Sequence, residues 1–213
     1  DMWPADFNEA VMWSRATPWK AFNELRRLVM WPWIGLYFAS HGIAVGRDWR
    51  IYGAPMIQRH RGSLIAFGDG LELRSWRWSN PLVADHRCMF STWSEAASIE
   101  IGAGFGMTGG TICAAGSVRI GSYVVVGANC TIMDTDFHQL PLAKSRTGAD
   151  AKPSAVPVVI HDHAFIGTRT LILKGVTIGE AAIVGAGSVV THSIPAHAVA
   201  AGNPATVVGE VHP

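Results

Sequence analysis

The sequence carries little charge. Asp, Glu, Lys and Arg make up 15% of 213 residues, and 17 basic against 16 acidic side chains leave a formal net charge of +1. Such a chain has no global field with which to recruit nucleic acid or an anionic surface. At 49% hydrophobic residues it is also too apolar to be disordered. Cysteine is scarce: Cys88, Cys113 and Cys130 are odd in number and lack C-x-x-C spacing, which excludes a disulfide framework and a zinc knuckle. Reduced, buried thiols are the expectation. No long hydrophobic run occurs either. The longest uncharged apolar stretch, 28–39, is interrupted by Pro32 and falls short of the ~20 residues of a spanning helix. No basic start, apolar centre and small-residue cleavage site open the chain, so a cytoplasmic location is expected.

Glycine, by contrast, is abundant at 23 residues, and its placement is periodic. Ile160, Ile166, Ile172, Ile178, Val184 and Val190 recur every six positions. Two residues before each stand Val158, Ala164, Thr170, Val176, Ala182 and Ser188. In an extended strand both members of each pair point the same way. Gly167, Gly179 and Gly185 follow where the strand turns a corner and a side chain would crowd it. Upstream, Ile120, Val126 and Ile132 form a second set, and Ile101, Met107 and Cys113 a third, with one extra residue near Gly116. Fainter sets are Val45, Ile51 and Ile57, then Phe67 and Leu73. One six-residue strand and turn cannot bury its inner face alone, so copies must stack. Three hexads per turn predict a parallel β-helix of about six coils, a prism ~30 Å long.

Two excursions of equal length break the frame, between Leu73 and Ile101 and between Ile132 and Ile160. The first carries Trp76, Trp78 and Trp93 with Arg74, Arg77 and Arg87, a set suited to stacking on a sugar or to packing. Its portion around Cys88 and Phe90 is expected to supply a missing coil edge. The second contains DTDFHQL (134–140) and is the better candidate for chemistry. Residues 1–42 lack hexads. Thr17 followed by Pro18 predicts a helix with Phe22, Leu25, Leu28 and Val29 on one face and Pro32 as its stop. This segment, with Trp3, Trp13, Trp19, Trp31 and Trp33, is expected to cap the open prism and offers a possible peripheral membrane contact.

The stretches VRIGSYVVVGANCTIMDTDFHQL (118–140) and VVIHDHAFIGTRTLILKGVTIGEAAIVGAGSVVTHSIPAHAVAAGNPATVV (158–208) resemble the hexapeptide-repeat acyltransferases, in particular the sugar O-acetyltransferase branch of galactoside, maltose, nodulation and polysaccharide acetyltransferases. The resemblance implies a mainly β fold, a left-handed parallel β-helix with a helical N-terminal extension and two protruding loops. The left hand comes from the resemblance alone, since crossover physics favours the right. The implied organisation is an extension at 1–42, an acyltransferase domain at 43–208 with loops 74–98 and 133–157, and a tail at 209–213. It further implies acetyl-CoA as donor, no metal, a homotrimer with sites in grooves between neighbouring prisms, and a sugar or polysaccharide-precursor acceptor.

Residue by residue, the resemblance assigns His138 as the catalytic base, although Gln139 stands where the family often has Pro. An imidazole suits general base catalysis, because the group titrates near neutral pH. The backbone N–H of Thr168 is the implied oxyanion donor, and Gly167, Thr168, Ala186, Thr191, Asn203 and Pro204 are the implied CoA contacts. At 192 the family often has Lys near the CoA phosphates; this chain has His192, leaving Arg169 or Lys174 as substitutes. Asp134 and Asp136 alternate before His138, so an extended segment would put all three on one face, where a carboxylate could orient the imidazole or bind an acceptor hydroxyl. GMTGGTICAA (106–115) lacks the Asn and Asp of the galactoside and maltose acceptor sites. An amine of an amino-sugar nucleotide as acceptor, another acyl group, or a non-catalytic trimeric scaffold are the alternative readings.

Overall fold

The computed structural model describes residues 15–138 and 154–211. Six successive coils are each traced by short strands. The first coil holds β1 (Arg50–Tyr52), β2 (Met56–Gln58) and β3 (Leu64–Phe67); the second β4 (Glu72–Arg74), β5 (Met89–Thr92) and β6 (Ser98–Ile101). The third holds β7 (Gly106–Thr108), β8 (Thr111–Ala114) and β9 (Ser117–Ile120); the fourth β10 (Val125–Val126), β11 (Thr131–Met133) and β12 (Val158–Ile160). Next come β13 (Phe165–Ile166), β14 (Leu171–Ile172) and β15 (Thr177–Ile178), then β16 (Ile183–Val184) and β17 (Val189–Val190), with Ile194 bridged to Ile178 as the sixth coil's third side. Among the described residues these form three sheets, the first built on β1, the second on β2 and the third on β3. Every ladder between coils is parallel.

Register explains why the hexad is legible. Ile51, Leu73, Met107, Val126, Ile166, Val184 and Ala200 pair in succession into one inward column. Ile57, Phe90, Ile112, Ile132, Ile172 and Val190 form a second. All but the marginally accessible Ile57 and Met107 are essentially sealed from water, and each of the larger side chains contributes about 1.5–3 kcal/mol by burial. The frame is corrected at two places. Ile112, not Cys113, takes the inward column of the second sheet, because the third coil turns one residue early. Val45 lies outside the coils and is exposed. As expected of the first excursion, Phe90 on β5 fills the column that the hexad frame had left empty.

The corner glycines serve close stacking rather than unusual dihedrals. A Cβ on Gly127 would sit 2.6 Å from the Thr168 backbone nitrogen of the next coil, and one on Gly102 would sit 2.7 Å from Ser122 N. The left-handed backbone falls two residues later, at Tyr123, Asn129, His163, Arg169 and Ala181, so most corners tolerate it without glycine.

Helix α1 (Pro18–Ser40) opens at Thr17–Pro18 as expected, but Pro32 does not stop it. Proline removes one N–H and disturbs the preceding turn, here on the exposed side, and the turn beyond is anchored by tertiary contacts. Ile34 and Phe38 are buried, and the Phe38 ring meets Trp49 and Phe67 edge-on at 5.1 and 6.1 Å over the first coil. The apolar face marked by Phe22, Leu25, Leu28 and Val29 is turned away from the prism, and all four point to solvent. Trp3 and Trp13 lie outside the described residues. At the other end, β18 (Ala198–Gly202) and β19 (Ala205–Glu210) form an antiparallel hairpin that the hexad pattern did not announce.

Cys88, Cys113 and Cys130 are all buried and unpaired with one another. Desolvation pushes each thiol up to about 11, far from the reactive thiolate at neutral pH. The native protein is therefore expected to give almost no reaction with Ellman's reagent at pH 8, and three equivalents after unfolding in guanidinium. Rapid reaction of any one thiol in the native state would contradict the burial.

Candidate functional site

The second excursion leaves β11 at the edge between the second and third sheets. Its stem is held by Asp134, whose side chain is fully buried. The Ala115 N–H donates to one carboxylate oxygen and the Gly116 N–H to the other, both at 2.7 Å. The outgoing and returning stems are joined where Val156 N–H donates to the Asp134 carbonyl (2.8 Å), and Gly175 N–H donates to the Val156 carbonyl (3.0 Å). Asp134 is thus a clamp across the turn of the coil below.

The segment is not extended beyond this point, so the three alternating residues do not share a face. His138 N–H donates to the Asp136 carbonyl (2.6 Å) in a tight turn with Phe137 at φ +61°. Asp134 points inward, whereas Asp136 and His138 point outward and are exposed. The Asp136 carboxylate pairs with the Lys174 ammonium, which also donates to Ser154 Oγ at 3.3 Å. The Phe137 ring meets Trp93 edge-on at 5.5 Å, and Trp93 is 60% exposed. His138 is therefore presented beside an open aromatic pair and an ion pair, all along one edge of the prism. Gln139 lies outside the described residues.

Thr168 sits on a different edge, between the first and second sheets. The Thr168 hydroxyl (2.6 Å) and the Arg169 N–H (2.8 Å) both donate to the Ala128 carbonyl of the coil below. Among the described residues no hydrogen bond engages the Thr168 N–H. Above it come Gly167 and Ala186, in such close approach that a Cβ on Gly167 would collide with the Ala186 backbone. The turn at Asn203–Pro204, joined by a cis peptide, closes the same edge beyond β18. Thr191 falls on the other edge, after β17, with its hydroxyl 2.8 Å from His192 Nδ1.

The structure thus divides the sequence-derived residues into two groups. His138, Asp136 and Thr191 share one edge; Gly167, Thr168, Ala186, Asn203 and Pro204 share another. A face of six extended residues separates the two, roughly 20 Å. The two candidate phosphate contacts are both engaged, Arg169 with Asp85 (2.9 Å) and Lys174 with Asp136. Trp76 is part of the interior packing, its ring beneath the Arg26 guanidinium at 4.1 Å, and Arg74 pairs with Glu72. Trp93 thus stands beside His138, a position that its sequence spacing did not disclose. A shallow depression of about 540 Å³ spans the third sheet from Phe67 to Asp162, away from His138 and Thr168.

Comparison with known proteins adds a matched repeat and a shared fold. Residues 157–192 match the model for the bacterial transferase hexapeptide (six repeats). A stretch of 61 residues is 51% identical to the 2,3,4,5-tetrahydropyridine-2,6-dicarboxylate N-acetyltransferase of Staphylococcus aureus (strain JH9), covering 29% of this chain. The chain spans about a quarter (26%) of the length of the curated relatives it matches. Among solved structures, a galactoside acetyltransferase in complex with coenzyme A is similar with TM-score 0.50 and 25% identity, over 71% of this chain and 66% of that one. A polysialic acid O-acetyltransferase shares the fold with TM-score 0.62 and 23% identity, over 80% of this chain and 76% of that one. With its coils, ladders and repeat taken together, this chain is a left-handed parallel β-helix that carries a hexapeptide-repeat transferase stretch at 157–192 and shares its fold with a galactoside acetyltransferase.

Proposed function

We propose that the protein is an acetyl-CoA-dependent O-acetyltransferase acting on a hydroxyl of a sugar or polysaccharide precursor. The observation that carries the reading is the division of candidate groups between two edges: a displayed imidazole on one, and a run of small residues with an unused backbone N–H on the other. Neither edge is a complete site. In a closed threefold ring each chain sets one edge against a different edge of its neighbour. His138 of one subunit then faces Thr168 of the next, as a homotrimer requires.

Gly167 lets the next coil stack closely, and the short exposed side chain of Ala186 leaves room along the donor edge for a pantetheine arm, which the Asn203–Pro204 turn bounds. His138 takes the acceptor's hydroxyl proton as the oxygen attacks the acetyl carbonyl carbon. The Thr168 N–H holds the carbonyl oxygen as it gains charge. The carbon–sulfur bond then breaks, and the imidazolium returns its proton to the departing thiolate. Trp93 offers its exposed ring as a platform for the apolar face of a pyranose next to the base.

The match to an N-acetyltransferase supports a second reading in which the acceptor is an amine. The test is release of CoA from acetyl-CoA by the full chain, with panels of neutral sugars, acidic oligosaccharides and amino-sugar nucleotides. Acetyl-CoA binding by calorimetry and turnover with a hydroxyl acceptor are the expected results. Turnover with amines alone would replace the first reading with the second, and no binding of acetyl-CoA would leave a scaffold.

A further inference from the structure

Helix α1 packs on the prism through apolar Ile34 and Phe38 in its C-terminal half and through polar groups in its N-terminal half. Asn23 Nδ2 donates to the Trp78 carbonyl (3.3 Å), the Tyr52 hydroxyl donates to Glu24, and Arg27 pairs with Glu24 at 2.9 Å. Facing away, Trp19, Phe22, Leu25, Val29, Trp33 and Leu36 are each 59–67% exposed. Their spacings of three and four residues place them in one stripe ~25 Å long. At about 100 Å² of exposed area per large side chain the stripe comes to roughly 600 Å², the upper end of what a monomer ordinarily leaves uncovered and a size that is often functional.

Charge and shape identify what covers it. Residues 15–40 hold four cations and one carboxylate; Arg26 lies over Trp76 and Arg27 pairs with Glu24 on the prism side, and Arg15 and Lys20 stand at the start of the helix. Trp78, 65% exposed and tied to the helix through Asn23, extends the apolar rim next to exposed Arg77. Indoles at Trp19 and Trp33 on an apolar stripe, with Arg15, Lys20 and Arg77 toward its N-terminal end, suit the headgroup layer of an anionic bilayer. A helical mate would need an unbroken seam, but the series Phe22, Leu25, Val29 and Leu36 has Pro32 at its remaining position. Among the described residues no helix is long and apolar enough to cross a membrane. We infer that helix α1 is an interfacial membrane-docking element, held on the prism by Asn23, Glu24, Ile34 and Phe38 so that the apolar stripe on its opposite face lies flat in an anionic lipid surface.

The test is co-sedimentation of the full chain with vesicles of phosphatidylcholine alone and of phosphatidylcholine with 30% phosphatidylglycerol. The native protein is expected to partition strongly onto the anionic vesicles and weakly onto the neutral ones. The double variant Leu25→Glu/Val29→Glu should partition at least ~10-fold less. Both side chains are exposed, so melting temperature and oligomer mass should not change. A second variant, Trp19→Ser/Trp33→Ser, should also bind less without introducing charge. The proposal is overturned if the native protein fails to pellet with anionic vesicles, or if both variants pellet equally with it. It is likewise overturned if the glutamate variant loses oligomer mass, which would assign the stripe to a second copy of the chain.

Discussion

Replacing His138 with alanine is expected to lower acetyl-transfer turnover by ~10²–10⁴, the usual worth of a positioned general base. Binding of acetyl-CoA and the melting temperature should hardly change. The imidazole is exposed at the end of a tight turn, and the donor-edge residues lie across a face of the prism. Near-full activity in the variant would remove His138 from the reaction. Subunit mixing sharpens the result. Ala186 is exposed on the donor edge, so Ala186→Trp should block the pantetheine path without disturbing the core. Neither variant alone should turn over. Random co-assembly of the two in equal amounts restores an intact base opposite an intact donor edge in about one quarter of sites of a cyclic trimer. Failure of mixed assemblies to recover activity would place both edges' groups in one chain and contradict the shared cleft.

Asp134→Ala is expected to be the most destabilising single substitution near the site. It removes the acceptor for two backbone N–H groups, of Ala115 and Gly116, each bonded at 2.7 Å to a fully buried carboxylate. Hydrogen bonds to a charged group contribute about 1.5–3 kcal/mol each, so a loss of about 3 kcal/mol is a conservative figure. For a chain of this length that is roughly 6–12 °C in melting temperature. Asp134→Asn should recover little, because one N–H would then face an NH₂ donor in place of an oxygen. The same clamp fixes the stem from which His138 projects. Below its melting temperature Asp134→Ala should therefore lose kcat more than affinity for acetyl-CoA. Unchanged melting would show that the turn needs no carboxylate. A selective rise in KM for the acceptor with kcat intact would instead return Asp134 to a binding role.

The site was legible in the sequence only in part. His138 and Thr168 stand out through the repeat and the resemblance it carries. Their separation across a prism face does not, since it depends on which of three edges each corner occupies. Asp134 and Asp136 look equivalent two residues apart. One is drawn inward because the third coil's turn at Ala115–Gly116 presents two N–H groups directly beneath it. Trp93 and Phe137 are far apart in sequence and meet because β5 and β11 belong to the same sheet, with their exits on the same edge. The helix shows the same limit. Its apolar stripe is plain from spacing, and the ordinary inference turns such a stripe inward. The prism flank instead offers Tyr52, Trp76 and the Trp78 carbonyl, which pair with Glu24, Arg26 and Asn23.

By itself the sequence determined the coil, because an aliphatic side chain at nearly every sixth residue, with glycine at the corners where coils stack closest, is a condition that each hexad meets locally. Only the tertiary structure decided where the chemistry points. The facing of a carboxylate, an indole or a helix stripe depends on partners brought in from other coils, and their positions arise from the accumulated turning of the whole prism.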